Sequence, residues 1–151
     1  MKYLLCDICG EMIEIGNHSG IVTFDKEYDA DHRKHLSNFH FRHKLFTGHS
    51  CDSREQKAWR PIEELTGKDG LAHWLDLLDP KYNHGEDNTD AQFVTVDLSC
   101  IEAMMRCLIP GYDEARHFSK QYGYEVNGAS REPIITADTC KEILNWVKKQ
   151  G

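Results

Sequence analysis

The sequence contains no apolar run long enough to cross a bilayer as a helix, which removes a membrane-spanning role from the expectations. It also shows no export signal. Met1-Lys2-Tyr3-Leu4-Leu5-Cys6-Asp7 offers one positive charge and two leucines, then meets an acid before a hydrophobic segment can form. A cytoplasmic, reducing setting is therefore expected, and the six cysteines read as thiols or metal ligands rather than disulfides. There is no internal repeat and no low-complexity tract. G-x-S-x-G, a phosphate-cradling glycine loop and His-Glu-x-x-His are all missing, so no catalytic residue is assigned from a motif.

What is present suits a packed globule. Hydrophobic residues make up 40%, with three Trp, six Phe and six Tyr, while 28% charged residues and a mean hydropathy of -0.61 imply a well-solvated surface. A length of 151 residues is in the range of one domain, so residues 1–151 are expected to form a single domain without the staples that smaller chains need. The net charge of -7 is unevenly spread. Asp76, Asp79, Glu86, Asp87, Asp90, Asp97 and Glu102 face Lys81 alone in one window, whereas His32 to Cys51 contains Arg33, Lys34, Arg42, Lys44 and five histidines with no acid. The acidic window reads as a solubilising surface.

Periodicity divides the chain into a β-rich section, 1–60, and a mainly helical one, 61–151, giving an α+β class. Glu11 to Ile15 and Ile21 to Phe24 flank the turn residues Gly16-Asn17-His18-Ser19-Gly20, which predicts a hairpin. Asn38 to Phe46 alternates with period two, so Phe39, Phe41, His43 and Leu45 share one face and His40, Arg42, Lys44 and Phe46 the other. Beyond Pro61 four helices are expected. The first carries Leu71, Trp74, Leu75 and Leu78 on one face and is closed by Pro80. After a short strand at 93–96, a capping box at Ser99-Cys100-Ile101-Glu102 opens a second helix whose Leu98, Ile101, Met105 and Leu108 form its apolar stripe. A third runs from Tyr112 to Tyr122, ending at Gly123, and a fourth starts near Thr136 and buries Cys140, Ile143, Leu144 and Val147.

The chemistry-bearing motif is Cys6-Asp7-Ile8-Cys9-Gly10, two thiols spaced to reach one ion from a tight turn that the glycine lets the chain leave. These five residues resemble the knuckle of zinc ribbons and rubredoxin-like domains, which implies a zinc ion; unlike a ribbon, the chain has no second C-x-x-C. Two further ligands are then required. Cys51 is the only other cysteine of the β-rich part, and His43 is preferred as the fourth because its strand turns it inward with the apolar residues; the alternative is His49, in the turn beside Cys51. A closed Cys3His set has no position for substrate, so the zinc would be structural. A redox C-x-x-C is disfavoured because no helix follows the motif, and Cys100, Cys107 and Cys140 read as core residues.

Three functional readings follow. A noncatalytic zinc-binding protein acting through a protein partner, as adaptor or regulator, fits the closed ligand set and the lack of a catalytic group. A nucleic-acid binder would use Arg33, Lys34, Arg42 and Lys44 with interleaved phenylalanines, against the acidic total. A metal-dependent hydrolase or nuclease would use Asp31, His32 and His35. The first is the primary expectation.

Overall fold

The computed structural model describes residues 3–31, 33–44, 48, 51–52, 56, 58–78, 94–122 and 136–150. His32, Leu45, Phe46, His49, Phe93, Gly123 and the acids Asp79, Glu86, Asp87 and Asp90 lie outside them. The class is α+β, with strands mostly N-terminal and helices C-terminal. Strands β1 (Tyr3–Leu5) and β2 (Met12–Glu14) form a two-stranded antiparallel sheet. Strands β3 (Gly20–Tyr28), β4 (Lys34–His43), β5 (Ala58–Pro61) and β6 (Val94–Val96) form a second sheet in the order β5-β3-β4-β6, with β6 parallel to β4 and the other pairs antiparallel.

The hairpin expected across residues 16–20 is not formed. The segment 11–15 pairs backwards with β1 instead, because the Cys6–Gly10 knuckle is itself the reversing turn: Cys6 N donates to Glu11 O at 2.9 Å and Gly10 N to Cys6 O at 3.0 Å, with Gly10 at φ +77°. β3 finds its partner in β4. Their ladder slips between Thr23 and Asp25, opposite Asn38, which adopts φ +54° and donates from Nδ2 to Asp25 Oδ2 at 2.6 Å. That slip reverses the alternation along β4. Lys34 and Leu36 are buried before it, and Phe39, Phe41 and His43 after it.

Phe39 stacks on Phe24 with ring centroids 4.8 Å apart and meets Trp74 of the helix above at 6.0 Å. Five helices are found among the described residues where four were expected. The addition is the single turn α1 (Ile62–Leu65); the others are α2 (Gly70–Leu78), α3 (Leu98–Leu108), α4 (Tyr112–Tyr122) and α5 (Ala137–Gln150). α2 approaches α1 so closely that a Cβ on Gly70 would sit 2.5 Å from the Leu65 carbonyl oxygen. The main core joins both sheets to α1, α2 and α3, and a second apolar cluster centres on Tyr112, Ala115, Cys140 and Ile143 between α4 and α5.

Two helix expectations need correction. α3 is capped by Asp97, whose Oδ1 accepts from Cys100 N at 3.4 Å; Ser99 instead receives the Phe39 amide at 2.9 Å. The buried face of α3 is Cys100, Ala103, Arg106 and Cys107, while Leu98 is 80% exposed and Ile101 50%. On α2, Trp74 and Leu77 are buried and Leu71 and Leu75 are exposed. A run of leucines at helical spacing can satisfy a core-facing stripe equally well on either side of a neighbouring Trp or Cys, and the bulkier or smaller residues decide.

Candidate metal centre

The knuckle between β1 and β2 presents Cys6 and Cys9, the end of β4 presents His43, and the segment leading toward β5 presents Cys51. The four donor atoms all lie within 4.8 Å of one another; all six cysteines are free thiols. Cys6, His43 and Cys51 are buried and Cys9 is exposed. The His43 Nδ1 is 3.5 Å from Cys9 Sγ and 3.7 Å from Cys51 Sγ. For comparison, a tetrahedron with zinc–sulfur bonds of about 2.3 Å and a zinc–nitrogen bond of about 2.05 Å has sulfur–nitrogen edges of about 3.6 Å and sulfur–sulfur edges of about 3.8 Å. The two sulfur–nitrogen separations match that edge, and with all donors within 4.8 Å no pair has more than about 1 Å to close around an ion.

The tautomer of His43 supports the same geometry. Its Nε2 is 2.9 Å from the carbonyl oxygen of Met12, which can only accept, so Nε2 carries the hydrogen. In the neutral ring this leaves the Nδ1 lone pair aimed at the thiols, the arrangement in which the backbone orients a metal-binding histidine. The thiols are electrostatically interdependent. Burial pushes Cys6 up, but the backbone amides of Cys9, Ile8 and His43 and the Cys51 thiol outweigh it and lower it to about 7. Cys51 is pushed up to about 12 by burial first, then by Cys9 and Cys6. Once one sulfur ionises the next resists, and a bound dication relieves that resistance by displacing the remaining protons.

Each arm of the site is pinned. Arg42, on the opposite face of β4 from His43, donates from Nε to Thr23 Oγ1 at 2.9 Å and from a terminal nitrogen to the Cys51 carbonyl at 3.0 Å. Asp7 closes the knuckle onto β4: its amide donates to Phe41 O at 2.8 Å and its Oδ2 accepts from Phe41 N at 2.7 Å. Neither role is visible in the residue spacing.

Lys34 is 1% exposed and Arg42 is engaged with Thr23, Cys51 and Gln56, so of the four basic residues assigned to nucleic acid only Arg33 is exposed and Lys44 is half-buried. His32, of the hydrolase trio, and His49, the alternative ligand, lie outside the described residues. His35 does not meet Asp31. Its Nε2 is 2.9 Å from Asp29 Oδ2 and its Nδ1 bonds the Thr95 hydroxyl across the β4–β6 pair, which occupies both ring nitrogens. Asp29 is held below the usual carboxylate range by His35 first and then by the Arg33 amide. Cys100, Cys107 and Cys140 are buried as expected, and burial raises all three thiols. No helix among the described residues is long and apolar enough to cross a membrane. Comparison with protein-family models, with curated proteins and with solved structures gave no match.

Proposed function

We propose that the chain is a noncatalytic zinc-binding protein in which Cys6, Cys9, His43 and Cys51 hold one structural ion and the activity is recognition of a protein partner. The observation that carries the metal assignment is the His43 ring, fixed by the Met12 carbonyl so that its Nδ1 faces two thiols at tetrahedral edge distances. Three sulfurs and one nitrogen select zinc over hard cations, and four protein donors leave no open position for substrate. Zinc bound there supplies cross-linking: it ties the knuckle, the end of β4 and the segment at Cys51 into one unit.

Support for recognition as the role comes from apolar side chains left on the surface, chiefly Leu98, Ile101 and Val96 at the start of α3 and the end of β6. The test is the double variant Leu98→Asp/Ile101→Asp in the zinc-loaded chain. It should keep its metal and thermal midpoint and lose cross-linking to the partner recovered by the unaltered chain. Unchanged cross-linking overturns the surface assignment, and a hydrolytic activity that disappears on chelation overturns the noncatalytic reading. Retardation of nucleic acid at low salt, lost on Arg33→Ala, is the outcome that favours the nucleic-acid reading.

A further inference from the structure

Arg106 is 8% exposed and sits 99 residues from Asp7 in sequence, yet three of its five N–H groups are spent on Leu5 and Asp7, either side of Cys6, and the other two on Asp113 of α4. Nε donates to Asp113 Oδ1 at 2.8 Å, and one terminal nitrogen donates to Asp7 Oδ1 and Oδ2 at 2.8 and 3.0 Å. The other donates to the Leu5 carbonyl and to Asp113 Oδ2, both at 2.8 Å. Asp113 returns to the same strand by accepting the Leu5 amide at 2.7 Å. The guanidinium carbon also lies 4.2 Å from the centroid of the Phe41 ring. Arg106 thus touches the residue after Cys6, the residue before Cys6 and the residue two before His43.

We propose that Arg106 is a positioning residue for the metal centre: through Asp7 and Phe41 it holds the knuckle and β4 at the separation the ion requires, and through Asp113 it makes the order of α3 and α4 depend on metal occupancy. This rests on the reading that the four donors bind zinc. The physical basis is that the buried fork between Arg106 and Asp113, one nitrogen to each carboxylate oxygen, fixes the guanidinium plane, so a displaced Asp7 breaks its charged hydrogen bonds to the remaining terminal nitrogen. Reciprocity follows from linkage: whatever Arg106 contributes to zinc affinity, zinc contributes equally to the Arg106 contacts. The cleft bounded by Asp7, Glu102, Arg106, Asp113, Arg116 and His117, with a volume of about 340 Å³, lies directly over this connection, so its shape is set by the same contacts.

The test uses the full chain and zinc itself as the probe. Zinc affinity is measured by competition with a chromophoric chelator for the unaltered protein, for Asp7→Asn and for Arg106→Lys, and amide exchange across 98–122 is followed with and without chelator. Asp7→Asn is the gentler change, since Asn can still accept the Phe41 amide and the Arg106–Asp113 pair is left intact. The expected result is a loss of zinc affinity of about tenfold or more in both variants. Chelation should accelerate exchange in α3 and α4 of the unaltered protein and leave it unchanged in Asp7→Asn. A purely structural role for Arg106 would lower the midpoints of zinc-loaded and chelated protein equally with no change in affinity, and that result overturns the inference. If Arg106→Lys does not fold, Asp7→Asn alone decides. If the unaltered protein takes up no zinc, the metal assignment fails and the inference with it; zinc uptake with equal affinity in Asp7→Asn sinks the inference alone.

Discussion

Replacing Cys9 by alanine separates a metal-binding thiol from a packing one more cleanly than any other single change, because Cys9 is the exposed member of its set. A surface substitution away from special features shifts stability by no more than about 0.5 kcal/mol in either direction. If Cys9 is a ligand, its loss forfeits the stabilisation that binding confers on the folded state, about 4 kcal/mol when free zinc stands about 1,000-fold above the dissociation constant. For a chain of this length each kcal/mol moves the thermal midpoint by about 2–4 °C, so the expected fall is about 8–16 °C. The assay is thermal unfolding by circular dichroism of both proteins, once with excess zinc and once with chelator. With zinc the alanine variant should melt far below the unaltered protein; with chelator the two should coincide. Cys140→Ala, in the cluster between α4 and α5, is the control and should lower both conditions equally. Coincident curves for Cys9→Ala and the unaltered protein in excess zinc would refute the reasoning, since no packing argument makes an exposed thiol important and no metal argument makes it dispensable.

Other expectations follow from the same contacts. Thiol titration with a chromogenic disulfide should count no readily reactive cysteine in the zinc-loaded protein and gain Cys9, then Cys6 and Cys51, after chelation frees their arms, while Cys100, Cys107 and Cys140 stay protected by burial until unfolding. Gly70→Ala should destabilise by about 1–3 kcal/mol in urea titrations, because the new Cβ meets the Leu65 backbone carbonyl at 2.5 Å and backbone cannot rotate away. Burial raises the Asp97 carboxyl, but donors from Ser99, Asn38 and Cys100 outweigh it and hold the group below the usual carboxylate range. A depressed folded-state value means its contribution is complete above the unfolded carboxylate range and is lost as pH falls through the folded value. Asp97→Asn keeps an N-cap acceptor and removes only the charge, so the stability gap to the unaltered protein, about 0.3–1 kcal/mol, should be present at neutral pH and close in acid; a gap independent of pH would contradict it.

Much of the candidate site was legible because it is written locally. The C-x-x-C-Gly turn needs only five adjacent residues, and the inward aim of His43 follows from the period-two pattern of Phe39, Phe41 and His43. The same pattern misjudged its own extent, since the left-handed Asn38 shifts the register and buries Lys34 and Leu36 as well. One miss was local: β2 pairs with β1 because the Cys6–Gly10 knuckle, read only as a metal motif, is also the hairpin turn. The others were nonlocal: the Phe39 amide takes Ser99 and leaves the α3 cap to Asp97, and the Arg106–Asp7–Asp113 contacts join three parts of the chain. Asp29 and Thr95 on either side of His35 belong with these, being six and sixty residues away from it. The leucines of α2 and α3 misled for a different reason: helical spacing identifies a stripe, but Trp74 and Cys107 decide which side of it faces the core.

X-ray absorption at the zinc edge on purified full-length chain, with metal quantified per polypeptide, tests the metal centre most directly. One zinc per chain in a shell of three sulfurs at about 2.3 Å and one nitrogen at about 2.0 Å is the predicted result. A chain that retains no zinc at equimolar metal, or a shell of oxygen and nitrogen without sulfur, would contradict it.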